Sequence, residues 1–296
     1  MTEHRGSRTE RVRAQLELPA VRRAIGLLDG RHRSAMRGHG QDFDDLALYT
    51  PGDDVGDIDW KSSARAGGVP VIRRYQRDSA APLVLAVDTG RTMAATAADG
   101  EPKQAVALHL AELVGVLAGD RGDRVALVAG DAERLVRVPA RTGRTHLELL
   151  LRRLERALEV DGPAPDLDRV LARALVTSLT PSLVVVISDA TSMTPERAGV
   201  LSRLVARHTL LVLTVADADP LGNVPSRDVL DGWSVPPALR GRADLSRALA
   251  AFREHRAAER DAMLRRFGIP HATVPGTEQA LAALLPVLDR RRRAVR

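Results

Sequence analysis

Two runs of apolar residues, Pro82-Leu-Val-Leu-Ala-Val-Asp88 and Ser182-Leu-Val-Val-Val-Ile-Ser-Asp189, decide the fold of this chain. Each run is short, unbroken and flanked by segments with helical spacing, a pattern that is typical of central strands in a parallel sheet. Such sheets place their ligand sites just beyond the carboxyl ends of the strands. We therefore expect the carboxylates of Asp88 and Asp189 to meet at one edge of the sheet.

The loop after the first run reads Asp88-Thr-Gly-Arg-Thr92, so that a carboxylate and a hydroxyl lie four residues apart on one turn. Carboxylate and hydroxyl oxygens are the ligands that a hard divalent cation such as Mg²⁺ prefers. A second interpretation stays open at this point. An aspartate at the end of a strand also caps helices and accepts hydrogen bonds from the backbone N–H groups of the following loop.

From about residue 81 onward, strands and helices alternate, which predicts an α/β fold with a doubly wound, mostly parallel sheet. Two apolar segments separated by Gly130-Asp131 predict an antiparallel hairpin within it. The predicted strands are 82–87, 124–129, 135–138, 182–188, 210–215 and 271–274. The predicted helices are 102–118, 145–158, 166–178, 195–206, 243–267 and 277–289.

The patterning predicts four segments along the chain. Residues 1–16 are charged and lack periodicity, which indicates a flexible arm. Residues 17–80 combine a helix from Leu18 to about Met36 with a strand over 69–75, which indicates a small β-containing subdomain. Residues 81–289 form the large domain, and 290–296 a basic, frayed tail.

Composition narrows the possible functions. The chain has 296 residues, no cysteine and a net charge of +6, with 44 lysines and arginines. Aromatic residues make up 2% of the chain, too few to stack nucleic-acid bases, so a nucleic-acid partner is not expected. The longest apolar runs are strand-length and the first residues lack the apolar region of a signal peptide. We therefore expect a cytoplasmic protein without a transmembrane segment.

The order of elements resembles that of a von Willebrand factor A domain. The similarity rests on Asp-x-Gly-x-Thr after the first strand, Gly143-Arg-Thr145 before a helix, and Ser188-Asp189 after a later strand. The resemblance implies a metal-ion-dependent adhesion site made by Asp88, Thr92, Thr145 and Asp189, holding Mg²⁺ or Mn²⁺. Because Gly90 stands where that site has a serine, metal binding is expected to be weak or absent.

The segment before this domain resembles the bacterial domain-of-unknown-function family fifty-eight. The similarity is carried by Arg37-Gly-His-Gly-Gln-Asp-Phe43, Tyr49-Thr-Pro-Gly-Asp-Asp-Val55, Ile58-Asp-Trp60 and Ser63-Ala-Arg65. It implies a MoxR-type AAA+ ATPase as partner, acting with this chain on unknown client proteins. Within the segment, candidate partner-binding or motif residues are Arg37, Asp53, Asp54, Asp59, Trp60 and Arg65. Two other roles are open, since the aspartates are also suited to organising turns and Trp60 to anchoring a core.

Enzyme motifs are scarce. The chain contains no Gly-x-x-x-x-Gly-Lys-Ser/Thr loop, no Gly-x-Gly-x-x-Gly after a strand and no Gly-x-Ser-x-Gly. The Asp88 loop is also similar to the Asp-x-Asp-x-Thr loop of haloacid-dehalogenase-like phosphohydrolases, but Gly90 replaces the second aspartate, the general acid. We therefore predict a non-enzymatic protein-interaction module that acts in the assembly or maturation of protein complexes, with a phosphohydrolase as the alternative.

Overall fold

The computed structural model describes residues 42–49, 58–65, 67, 69–76, 82–159, 161–222 and 228–293. The predicted arm, the helix predicted before Met36 and the motif residues Arg37, Asp53 and Asp54 lie outside these ranges. The chain divides into two compact units. One is Asp29–Ala80, and the other combines Met1–Leu28 with Ala81–Arg296.

The smaller unit contains a two-stranded antiparallel sheet and one short helix. Its elements are β1 (Asp42–Leu48), α1 (Trp60–Arg65) and β2 (Val71–Gln76). Ser63 ties the helix to the second strand, because its hydroxyl donates to the carbonyl of Asp59 and accepts the N–H of Val71, both at 2.8 Å. The Gly- and Asp-rich composition around β1 concealed this strand from the sequence pattern, which predicted only the second one.

The larger unit is built on a six-stranded sheet with the order β5-β4-β3-β6-β7-β8. Its strands are β3 (Leu83–Asp88), β4 (Val125–Gly130), β5 (Leu135–Arg141), β6 (Leu183–Asp189), β7 (Thr209–Val215) and β8 (His271–Val274). All neighbours are parallel except β4 and β5, which form the predicted hairpin. The predicted doubly wound, mostly parallel α/β class is therefore confirmed.

Seven helices flank the strands of the two units within the described ranges, and six of them belong to the larger unit. These six are α2 (Lys103–Asp120), α3 (Arg144–Ala157), α4 (Leu167–Thr177), α5 (Ala198–Arg207), α6 (Ala243–Arg266) and α7 (Thr277–Arg293). Their bounds lie within a few residues of the predicted ones. The largest differences are that α5 begins later, after a short 3₁₀ turn, and that α7 continues into the arginines predicted to fray.

Alternating residues of the central strands supply two separate cores. Leu83, Leu85 and Val87 of β3 face one core together with α2, α3 and α7, whereas Val84 and Ala86 face the other with α4, α5 and the end of α6. Because both faces of the sheet are covered, the central strands are apolar throughout rather than alternating. This burial explains the unbroken runs from which the fold was predicted. Within the described part of the chain, no helix is long and apolar enough to cross a membrane.

Candidate functional site

Four aspartates form a row along the carboxyl edge of the parallel strands. Asp131 follows β4, Asp88 ends β3, Asp189 ends β6 and Asp217 lies two residues after β7. These four strands are consecutive in the sheet, so the residues occupy neighbouring positions. The sequence had indicated Asp88 and Asp189 but missed the other two, although each of them also follows an apolar strand closely. We call this row the carboxylate rim.

Three of the rim aspartates organise the loops that follow their strands. The Oδ1 atom of Asp88 accepts a hydrogen bond of 2.9 Å from the N–H of Gly90. Asp131 accepts the N–H of Glu133 at 2.9 Å, and Asp189 that of Thr191 at 2.6 Å. The loop-capping interpretation is therefore confirmed. One carboxylate oxygen of each of these residues is already used for holding backbone.

A buried lysine pairs with the two aspartates at one end of the rim. Lys103, the first residue of α2, is 0% exposed, and its ammonium group donates to both Asp189 and Asp217. Burial by itself lowers the pKa of Lys103, but the attraction of the two carboxylates outweighs burial and raises that pKa above its usual value. The ammonium therefore stays charged at neutral pH. At the other end of the rim, Arg134 forms an ion pair of 3.1 Å with Asp131.

Asp88 is the rim carboxylate that accepts no hydrogen bond from a lysine or arginine among the described residues. It is 0% exposed, and neither its Oδ2 atom nor the hydroxyl of Thr92 has a hydrogen-bond partner among the described residues. Burial, together with the smaller effect of the Asp189 charge, raises the pKa of Asp88 to about 6, against the lowering effects of the Gly90 N–H and of the Arg197 charge. Because its charged form is poorly stabilised, the Asp88 carboxyl group keeps its proton up to a higher pH than an ordinary aspartate does.

The structure places Thr145 at the opposite edge of the sheet, so its predicted position beside Asp88 and Asp189 is wrong. Because β5 runs antiparallel to β4, it ends near the first residue of β4, Val125, rather than the last. The next helix begins there, and Nε2 of its His146 lies 2.8 Å from the carbonyl oxygen of Val125. Thr145 itself is exposed. The β4–β5 hairpin reverses the direction of the chain. The motif around Thr145 gives no sign of this reversal, so the motif alone did not show which edge of the sheet Thr145 would reach.

The loop that does approach Asp88 carries no hydroxyl side chain. It comprises residues 161–166, and the carbonyl of Pro163 accepts the N–H of Arg91 at 2.8 Å. A Cβ atom added at Gly90 would lie 2.6 Å from Cβ of Pro165 and 2.7 Å from its nitrogen. The proline ring thus fills the space in which a ligand serine at position 90 would sit.

These observations test whether the rim fits a divalent cation. Asp189 is engaged by Lys103 and Thr191, Thr145 lies at the other edge, and Pro165 occupies the space beside Gly90. Among the described residues, what remains is Asp88 and Thr92, two of the four protein ligands that the resemblance implied. Asp88 and Asp189 are at most 1% exposed, which leaves a partner's carboxylate no path to them. The residues present do not fit the metal site that the resemblance implied.

The motif residues of the smaller unit have different environments. Asp59 caps α1, since its Oδ1 atom accepts the N–H groups of Lys61 at 3.0 Å and Ser62 at 3.1 Å. This role agrees with the interpretation that the aspartates organise turns. Trp60 is 69% exposed, so the interpretation as a core anchor is wrong. Arg65, the last residue of α1, is exposed as well.

A second exposed tryptophan lies in the irregular segment after β7. Trp233 is 58% exposed and Leu230 beside it is also exposed. Their turn is ordered by its own polar groups: Asp228 donates its N–H to the carbonyl of Trp233 at 2.7 Å and accepts the N–H of Leu230. Arg91, from the loop after Asp88, donates to the carbonyl of Leu230 at 3.5 Å. Arg91 therefore links the turn that carries Trp233 to the loop after Asp88.

The fold and rim define a doubly wound α/β domain with a row of carboxylates, three of them buried, at the edge where such domains bind ligands. The chain belongs to the family described as protein of unknown function DUF58, whose model matches residues 45–226. Uncharacterized proteins from Mycobacterium bovis and Mycobacterium tuberculosis are each 31% identical over 252 residues, covering 80% of this chain and 77% of theirs. The predicted family is therefore confirmed.

Solved structures that align with this chain have lower sequence identity than these relatives. An aerotolerance-related membrane protein from Bacteroides fragilis is 14% identical, with a TM-score of 0.44 over 71% of this chain and 99% of its own. The protein BatB from Bacteroides thetaiotaomicron is 10% identical, with a TM-score of 0.44 over 72% and 99%. A von Willebrand factor type A protein from Catenulispora acidiphila is 16% identical, with a TM-score of 0.39 over 71% and 42%.

Proposed function

We propose that this chain is a non-enzymatic protein-interaction module that acts beside a MoxR-type AAA+ ATPase in the assembly or maturation of other protein complexes. The observation that carries the proposal is the exposure of Trp60 and Trp233, at 69% and 58%. The chain has seven aromatic residues, two of which are tryptophans, and both tryptophans face water. Tryptophan is among the residues that contribute most to protein–protein binding when a partner covers them.

The energetic cost of these two side chains supports a docking role. Burying a large apolar side chain contributes roughly 1.5–3 kcal/mol, and exposed indoles give up much of that stabilisation in the free protein. Trp233 is held on a turn whose backbone is already ordered by Asp228 and Asp231. An ordered turn loses little conformational entropy on binding, so that its apolar contacts contribute more fully to affinity.

The closed rim supports a function without catalysis. A catalytic carboxylate must reach the reacting group of its substrate, and Asp88, Asp189 and Lys103 are all at most 1% exposed. The phosphohydrolase alternative meets the same obstacle, because Asp88 would be its nucleophile. The general acid of that mechanism would stand at position 90, where Pro165 leaves no space for a side chain. The proposal accordingly contains no metal-dependent step.

The ATPase partner and the client proteins enter this proposal through the family resemblance. Such a partner hydrolyses ATP, which places the proposed complex in the cytoplasm. The tryptophans belong to different compact units, and each is proposed to form its own contact. The client surface and the ATPase surface are expected to use one tryptophan each.

The test is co-purification of the full chain with the MoxR-type ATPase of the same organism, using Trp60→Ala and Trp233→Ala. We expect at least one variant to weaken binding by 10-fold or more, about 1.4 kcal/mol, with an unchanged melting temperature. The matched control is Leu179→Ala, an apolar side chain that is 89% exposed at the amino end of β6. Truncation there should leave binding intact.

Two outcomes would contradict the proposal. One is undiminished binding by both tryptophan variants, which would move the interface away from these residues. The other is hydrolysis of a generic phosphate ester by the purified chain that is lost in Asp88→Asn, which would favour the phosphohydrolase.

A further inference from the structure

Lys103 occupies an unusual position for a lysine. It is fully buried at the first residue of α2, where the aligned peptide dipoles disfavour positive charge. Its ammonium donates to Asp189 at the end of β6 and to Asp217 after β7. These carboxylates come from segments 86 and 114 residues away in the sequence. A buried ammonium at a helix N-terminus is stable only because the carboxylates surround it.

We propose that the Lys103 ammonium is a built-in cation of the carboxylate rim, holding Asp189 and Asp217 together in place of a divalent metal ion. The proposal goes beyond the interaction function and does not depend on it. The proposal explains why four aspartates can lie at or just after the strand ends without forming a metal site: two of them are already engaged by a cation that belongs to the chain. A unit positive charge fixed to the chain offsets part of the negative charge of Asp189 and Asp217, as a bound cation would.

The choice of lysine rather than arginine supports this assignment. The chain contains 44 basic residues, of which only Lys61 and Lys103 are lysines. An ammonium is a compact point charge, whereas a guanidinium is a wide planar fork with five donors. The space between Asp189 and Asp217 accommodates the compact group. A chain that uses arginine almost everywhere thus has lysine where the cation is enclosed by carboxylates.

Lys103 also helps to join the loop that precedes α2 to the segment that follows β7. The N–H of Lys103 donates to the carbonyl of Ala95 at 2.9 Å, which folds residues 95–102 into a loop. That loop is joined to the segment after β7, because Ala98 donates to Ala216 at 3.0 Å and Ala218 donates to Thr96 at 3.1 Å. Lys103 connects the same two segments through Asp217. Removing its charge is expected to loosen both the loop and the segment after β7.

The experiment measures thermal unfolding of the full chain with millimolar Mg²⁺, millimolar Mn²⁺ or chelator. We expect the wild-type melting temperature to be the same in all three. Lys103→Met should lose about 10 °C, since it leaves the buried carboxylate of Asp189 and the half-buried carboxylate of Asp217 without their cation. Lys103→Ala leaves space between Asp189 and Asp217, so this variant should gain several degrees from Mn²⁺, which binds the native state alone.

Three results would overturn the proposal. They are a wild-type chain stabilised by metal, a Lys103→Met variant as stable as wild type, and a Lys103→Ala variant that gains nothing from Mn²⁺. If Mn²⁺ does not stabilise Lys103→Ala, Lys103 forms an ordinary ion pair and does not stand in for a metal ion. None of these results depends on binding to an ATPase, so this proposal and the interaction function can fail separately.

A measurement on the wild-type chain covers the case in which both variants fail to fold. Because there are two lysines, the NMR spectrum of chain labelled at lysine side chains contains two ammonium environments. We expect the buried Lys103 group to exchange its protons slowly and to be broadened less by paramagnetic Mn²⁺ than the exposed Lys61. Stronger broadening of Lys103 would place a metal ion at the rim and overturn the proposal.

Discussion

Pro165 packs so closely against Gly90 that a Cβ atom at position 90 would lie 2.6 Å from the proline Cβ and 2.7 Å from its nitrogen. The backbone of Gly90 has φ −64° and ψ 164°, a conformation open to any residue. The glycine is therefore required by the proximity of Pro165 rather than by its own torsion angles. The missing serine of the Asp88 loop is a consequence of packing.

Gly90→Ser is expected to destabilise the fold by about 1–3 kcal/mol, because the added side chain forces the 161–166 loop outward. The free energy of unfolding in urea measures the effect. Gly199→Ala is the matched control, since a Cβ there meets nothing within 4 Å. That substitution lies in α5 and should be neutral or slightly stabilising. A Gly90→Ser chain that is as stable as wild type and gains metal-dependent stability would contradict the packing argument.

Asp88→Asn is expected to stabilise the chain at neutral pH and to have less effect in acid. Burial raises the pKa of Asp88 to about 6 in the folded chain, above its unfolded value of 3.8. The folded state therefore binds more protons between these values, and stability falls as pH rises through that window. The asparagine does not titrate, so its advantage should grow from pH 4 to pH 7 by at most about 3 kcal/mol.

The pH series of urea unfolding for wild type and Asp88→Asn measures this difference. Asp131→Asn serves as the contrast, because Asp131 is paired with Arg134 and its loss of charge should destabilise the chain at pH 7. An Asp88→Asn variant that is destabilised equally at every pH would show that the ionised carboxylate has a partner after all.

Thr145→Ala should change the free energy of unfolding by less than about 0.5 kcal/mol, since Thr145 is exposed on the first turn of α3. Asp166→Ala is the informative comparison. Asp166 caps α4 by accepting the N–H of Arg169 at 3.0 Å, and its loss should cost about 1 kcal/mol. Thermal unfolding of the two variants under the same conditions measures the two losses of stability. A larger loss for Thr145→Ala would restore a structural or ligand role for that hydroxyl.

The sequence alone determined the architecture of the larger unit. Strands such as 82–87 and 182–188 are apolar because both faces of a parallel sheet are buried, and this pattern is local to each segment. The positions of Asp88 and Asp189 at strand ends followed from the same pattern. The family could also be predicted, because its motifs before the sheet are contiguous stretches of sequence.

Only the tertiary structure decided what the rim contains. Lys103 reaches Asp189 across 86 residues, and Pro165 fills the space beside Gly90 across 75, contacts that no local periodicity encodes. Thr145 was misplaced because the β4–β5 hairpin reverses the chain and delivers α3 to the opposite edge. Hydrophobic patterning reports which faces of a segment are buried. The positions of charges relative to one another depend on how distant segments pack.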